Sequence, residues 1–172
     1  MKRTKYLLTA ILLVSTFLAA SRVKAQSVNF SGKWQIDTTR TSFKMPDGSP
    51  IPRFVISQAV AVTQTPAGVM IDRTNLTNDL QEKHYLQQMT FDGKASQTVS
   101  VSGNNETDVL AWSPDKSGLI VSITSTSPDN QPVAKITETW ILADGGKTLL
   151  IDKQVEQTGG FKYEIKGYYQ KQ

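Results

Sequence analysis

The sequence predicts an all-β, single-domain protein. It expects an up-and-down antiparallel meander of about eight to ten strands that closes into a barrel. Three observations carry this. Apolar residues recur with period two along most of the chain after Trp34; Gly, Pro, Asn and Asp clusters interrupt that pattern every ten to fifteen residues; and no segment of ten or more residues carries a helical stripe. Short sequential strands joined by tight turns pair with their neighbours, because a short hairpin loop cannot carry the chain to a distant strand. A flat sheet of that size would leave two open edges, which closure removes.

The elements follow in order. Trp34–Asp37 opens the set, and the Pro-rich stretch from Thr38 to Pro52 reads as a loop. Val60 and Val62 mark a second strand. Pro66-Ala67-Gly68 turns the chain into Val69–Thr74, and a loop spans Asn75–Leu80. Tyr85, Met89 and Phe91 share one face of the fourth strand. After Asp92-Gly93-Lys94, Val99 and Val101 form the fifth; after Gly103-Asn104-Asn105, Val109–Trp112 forms the sixth. Leu119, Val121 and Ile123 lie between Ser113–Gly118 and Ser127–Asn130, both turn-forming stretches. Ala134, Ile136, Trp140 and Leu142 alternate with Lys135, Thr137, Thr139 and Ile141. Asp144-Gly145-Gly146 then leads to Leu149, Ile151 and Val155. Gly159-Gly160 leads to a last strand with Phe161, Tyr163, Ile165 and Tyr169 on one face and Lys162, Glu164, Lys166 and Tyr168 on the other.

The first 25 residues read as an export signal rather than as part of the domain. Lys2, Arg3 and Lys5 precede an uncharged run of 15 residues from Tyr6 to Ala20, and Val23-Lys24-Ala25 offers small residues for cleavage before Gln26. The run is shorter than the roughly 20 residues that span a bilayer. The expected mature domain is 26–172, periplasmic or secreted, with no stable membrane insertion.

Charge and composition narrow the function. The chain of 172 residues has a formal net charge of +4, but residues 1–25 hold five basic and no acidic residues. The rest carries 14 basic against 15 acidic residues, a net charge of −1. A nucleic-acid footprint requires a basic folded surface, so no nucleic-acid partner is expected. The absence of cysteine excludes disulfides, thiolate metal sites and cysteine nucleophiles. The one histidine, His84, falls opposite Tyr85, Met89 and Phe91 and reads as a surface side chain. No nucleophile elbow, P-loop or dinucleotide fingerprint occurs. No enzyme activity, catalytic residue, metal site or cofactor is expected.

Asn29–Asp37 contains Gly32-Lys33-Trp34, the G-x-W signature that opens lipocalin-like barrels. Together with Thr41-Ser42-Phe43, the Pro-rich loop, Phe91–Lys94, Glu138-Thr139-Trp140 and Asp144–Leu149, it makes the chain resemble exported bacterial lipocalin-like domain proteins. The resemblance implies a calycin-type barrel holding an apolar small molecule, with Trp34 packed at its closed end. It also has departures. Lipocalins set an arginine of the last strand against that tryptophan, whereas the last arginine here is Arg73, and no C-terminal helix pattern is visible. Avidins share the G-x-W start, but no set of biotin contacts is recognisable.

Parity supplies the candidate site. If Ala134, Ile136, Trp140 and Leu142 face inward, so does Glu138; Arg73 shares a face with Val69 and Ile71, and Lys153 with Ile151 and Val155. A buried carboxylate needs a partner. Two readings follow: a ligand's polar end meets Arg73 or Glu138 while Tyr85, Trp140 and Tyr163 cover its apolar body, or Glu138 pairs internally with Arg73 or Lys153. The expected function is extracytoplasmic binding of a small apolar or amphipathic molecule at Arg73, Tyr85, Glu138, Trp140 and Tyr163. The alternative is a structural or protein-interaction barrel filled by its own side chains. The Thr38–Pro52 loop, with Phe43, Met45 and Ile51, is a candidate lid.

Overall fold

The computed structural model describes residues 28–42, 45, 47–52, 55–77 and 79–172. The export segment, its cleavage point before Gln26 and Phe43 of the candidate lid lie outside the described residues. Ten strands run in sequence: β1 (Gly32–Ile36), β2 (Ser57–Gln64), β3 (Gly68–Leu76), β4 (Glu82–Thr90), β5 (Ser96–Val99), β6 (Asn105–Trp112), β7 (Gly118–Thr126), β8 (Pro132–Ala143), β9 (Thr148–Gln157) and β10 (Lys162–Lys171). All pairings are antiparallel, and the spatial order is β4-β3-β2-β1-β10-β9-β8-β7-β6-β5. The chain therefore meanders from β1 to β4 and from β5 to β10, with β1 and β10 joined where Trp34 lies opposite Lys171 and Ile36 opposite Tyr169. Each hairpin is made by the turn residues the sequence offers. Between β9 and β10, Gly159 and Gly160 take φ values of 96° and 89°, where a Cβ would be strained.

Closure is incomplete, unlike the edge-free barrel expected from the strand count. β4 and β5 are the two ends of the sheet order and are not paired by a backbone ladder. β5 is only four residues long. Side chains bridge the seam instead: the Gln87 amide donates to Asp108 Oδ2 at 3.0 Å, Tyr85 donates to Glu106, and the Tyr85 and Thr98 hydroxyls lie 3.1 Å apart.

The core fills one half of the barrel. Phe30, Trp34, Val60, Ile71, Met89, Leu110, Leu119, Val121, Trp140 and Leu149 are all buried to within about 1% of full burial. At this end Trp34 donates its indole N–H to the Phe30 carbonyl at 3.1 Å, and Phe91 stacks on Trp112 with ring centroids 5.0 Å apart. Trp34 thus seals one end, as the G-x-W resemblance implies. Lys171 of β10 places Nζ 5.3 Å from the Trp34 ring centroid. Small residues permit the close approaches here. A Cβ on Gly68 would lie 2.1 Å from the Met89 carbonyl oxygen.

The strand faces follow the predicted parity with a few shifts at the ends. Phe91 and Val101 lie just beyond β4 and β5, and Phe161 lies before β10 and is 48% exposed, so it does not contribute to the core. The loop after β1 packs on both sides of the wall. Arg40 lies over the Tyr168 ring at 4.4 Å on the outer face, whereas Ile51 is buried in the core and Met45 is half-buried against it. No helix among the described residues is long and apolar enough to cross a membrane.

Candidate functional site

Opposite the Trp34 end, the barrel encloses a cavity of about 150 Å³. The starts of β8 and β10, the ends of β3, β7 and β9, and the turn between β5 and β6 supply its walls, and the exposed Ser102 and Gln157 reach its rim. Its lining combines apolar Ile123, Ile136 and Val155 with polar Tyr85, Glu106, Lys153 and Tyr163. A space of this mixed character suits a molecule with a polar and an apolar part.

Arg73, Tyr85, Glu138 and Tyr163, inferred from parity, all line this cavity. Trp140 does not. It lies two positions nearer the closed end than Glu138, is fully buried, and donates its indole N–H to Glu138 Oε2 at 3.0 Å. Its role is packing and orienting the carboxylate. The described part of the Thr38–Pro52 loop contributes no wall residue; Val55, just past it, does.

Glu138 is the centre of an internal ion-pair cluster. Arg73 Nη2 lies 2.6 Å from its Oε2, and Lys153 Nζ lies 3.5 Å from its Oε1. The alternative drawn from the sequence, an internal pair with Arg73 or Lys153, is realised with both partners at once. The register explains why. Glu138 and Lys153 are direct cross-strand neighbours on β8 and β9, and Arg73 reaches across from β3. Burial alone would raise the Glu138 carboxyl, but Arg73 and Lys153 outweigh it and hold it below the ordinary carboxylate range. Arg73 also donates Nε–H to Gln87 Oε1 at 2.9 Å, which fixes the plane of its guanidinium. With both its carboxylate and amide partners in place, Arg73 is committed to the protein. Lys153, 19% exposed, also donates to the Val55 carbonyl at 3.3 Å.

Two further carboxylates are buried on β6, whose first half is polar in sequence. Glu106, Asp108 and Leu110 are buried and alternate with Thr107 and Val109. Glu106 lines the cavity; Asp108, two positions deeper, faces the seam. Burial pushes both carboxyls above their ordinary range, with the Tyr85 hydrogen bond opposing this at Glu106 and the Gln87 bond opposing it at Asp108. Tyr85 is itself raised, first by burial and then by Glu106. The signal for these residues was present: Leu110 and Trp112 fix the inward parity of β6, and Tyr85 and Met89 fix that of Gln87.

His84 lies on the outer surface, with Nδ1 3.0 Å from Asp72 Oδ1. Among the described residues no group of His, Asp or Glu side chains could hold a metal ion.

No protein-family model matches the chain, and no curated protein matches it. Among solved structures it is similar to a crystal structure of zebrafish ileal bile acid-binding protein complexed with cholic acid. The two share 16% sequence identity and a TM-score of 0.49, over 83% of this chain and 98% of that one.

Proposed function

We propose that this protein is an exported binding protein that holds a small amphipathic molecule in the half of the barrel away from Trp34. The observation that carries the reading is the cavity of about 150 Å³, whose lining combines apolar Ile123, Ile136 and Val155 with polar Tyr85, Glu106 and Lys153. A barrel kept only as a structural unit would gain stability by filling that space, because interiors are otherwise close-packed. The ligand's apolar part lies along the β7–β9 wall and its polar end meets the polar groups inside. Arg73 and Glu138 support this floor through their mutual pairing and do not take the polar end themselves.

An enclosed apolar void of comparable size holds a molecule about as large as benzene. Here the cavity reaches the rim at Ser102 and Gln157, so a short alkyl chain fits with one end near solvent. Titration of the mature protein with 1-octanol, followed by amide NMR shifts, tests the site. The expected shifts cluster at residues 85, 106, 136 and 155, and Ala134→Trp, placed on the cavity wall, removes them while the unfolding midpoint stays near that of the parent. Shifts confined to the outer surface, or unchanged in Ala134→Trp, would refute the internal site. Export rests on the charged start, the apolar run and Val23-Lys24-Ala25. Intact-mass analysis of protein from its own host should give a chain beginning at Gln26; a chain beginning at Met1 would remove that part of the proposal.

A further inference from the structure

We infer that the cavity selects a cationic amphiphile, such as a protonated alkylamine, and that Glu106 is the group that receives the cation. This rests on the internal binding site proposed above and names its ligand class. The charge inventory points there. Two cations, Arg73 and Lys153, face the interior along with three carboxylates, Glu106, Asp108 and Glu138. Both cations lie within ion-pair distance of the same carboxylate, Glu138, whereas no cation among the described residues forms an ion pair with Glu106 or Asp108. An anionic ligand would have to take Lys153 or Arg73 from Glu138 and would lie beside the acidic pair on β6. A cation meets carboxyl groups that Arg73 and Lys153 do not pair with.

Hydrogen counting across the seam gives an independent argument. Tyr85, Thr98, Glu106 and Asp108 form a chain of three oxygen–oxygen contacts: Glu106 to Tyr85, Tyr85 to Thr98 at 3.1 Å, and Thr98 to Asp108 at 3.1 Å. Each contact needs one hydrogen, but the two hydroxyls supply only two. The third is a carboxyl proton, held at one end of the chain or the other. Asp108 also has an oxygen, Oδ1, that is buried and has no hydrogen-bond partner. On this count the two carboxyl groups share one proton, and one of them faces the cavity. An ammonium group replaces that proton: it pairs with Glu106, and the displaced proton leaves to solvent. No covalent bond changes.

Three probes with the same tail and different heads decide it: octylamine, 1-octanol and octanoate, titrated into the mature protein by NMR. Octylamine should bind about ten-fold more tightly than 1-octanol, and octanoate more weakly than 1-octanol. Because a proton competes with the ammonium, octylamine affinity should rise as pH increases through the titration of the acidic pair, while 1-octanol affinity stays level. The groups facing the acidic pair are Arg73 from β3, Tyr85 from β4, Glu138 from β8, Lys153 from β9 and Tyr163 from β10; an alkylamine stays protonated across that titration. Glu106→Gln should lower octylamine to the level of 1-octanol and abolish the pH slope, with a cooperative urea transition as evidence of an intact barrel. The wild-type order and slope stand as tests even if that variant does not fold. Binding of 1-octanol with octylamine no tighter, or with octanoate tightest, overturns this inference and leaves the internal site standing. Binding of none of the three overturns both.

Discussion

Replacing Glu138 with Gln removes the carboxylate shared by Arg73 and Lys153 and leaves two cations facing each other inside the barrel. Arg73 and Glu138 have side chains only 6% and 1% exposed, and their 2.6 Å contact is joined by the Trp140 N–H at 3.0 Å. Removing one partner of such a buried pair costs about 3–5 kcal/mol, because the remaining charge stays desolvated. For a domain of this size that corresponds to a fall in Tm of roughly 6–20 °C. The matched control is Glu156→Gln, which breaks the pair with Lys162 at 3.1 Å, whose side chains are 66% and 53% exposed; it should leave the midpoint almost unmoved. Urea unfolding of the mature protein at pH 7 is the assay. The double variant Arg73→Met with Glu138→Gln should recover most of the loss. pH provides a further check. Burial opposes ionisation of Glu138, but Arg73 and Lys153 win and hold its folded value low. Its contribution is therefore complete above the ordinary carboxylate range and disappears as pH falls through that lowered value. A Glu138→Gln loss no larger than that of Glu156→Gln would refute the idea that this cluster is desolvated and organises the cavity floor.

Further outcomes follow from the same geometry. Asp108 is fully buried and burial raises its carboxyl, so its cost to stability is present above the raised folded value and absent below the ordinary one. Asp108→Asn should therefore raise the urea midpoint at pH 8 and lose that gain once the pH falls below the ordinary carboxyl value, at about pH 3, and a gain of equal size at both values would contradict the assignment. Trp140→Ala should cost about 3–5 kcal/mol in urea unfolding while leaving 1-octanol affinity within a few-fold, because Trp140 packs the core behind the cavity wall. A large affinity loss with an unchanged midpoint would return Trp140 to the ligand. Gly68→Ala drives a Cβ to 2.1 Å from the Met89 carbonyl oxygen, so it should lower the midpoint, whereas Gly93→Ala, with open space around it, has only the cost of its φ of 74°. Equal midpoints for the two would contradict the close β3–β4 approach.

The strands were legible because half-buried antiparallel strands write their inward face into the sequence every second residue. Glu138, flanked by Ile136 and Trp140, was placed inward by that rule alone, and Arg73 by Val69 and Ile71. Parity gives the face but not the depth. Trp140 and Glu138 share a face, yet one lies in the packed half and the other at the cavity floor, a difference set by which strands stop where. Glu106 and Asp108 were missed for another reason: Asn105, Thr107 and the acidic residues themselves make the first half of β6 polar, so an apolar pattern begins only at Val109. The seam was not legible, because whether β4 meets β5 depends on closure of the whole sheet and on the shortness of β5. Nor was the Lys171 contact with Trp34, which needs the β1–β10 register. Turn chemistry, by contrast, was read correctly from Gly159-Gly160 and Asp144-Gly145-Gly146, whose positive φ values follow from local residue type.

The central claim is that the cavity bounded by Tyr85, Glu106, Ile136 and Tyr163 holds a ligand. Native mass spectrometry of protein purified from its own host, beside Ala134→Trp prepared identically, tests it most directly. The account predicts a reproducible small-molecule adduct on the parent that is absent from the folded Ala134→Trp variant. A bare mass for the parent, or an adduct retained when the cavity is filled, would contradict it.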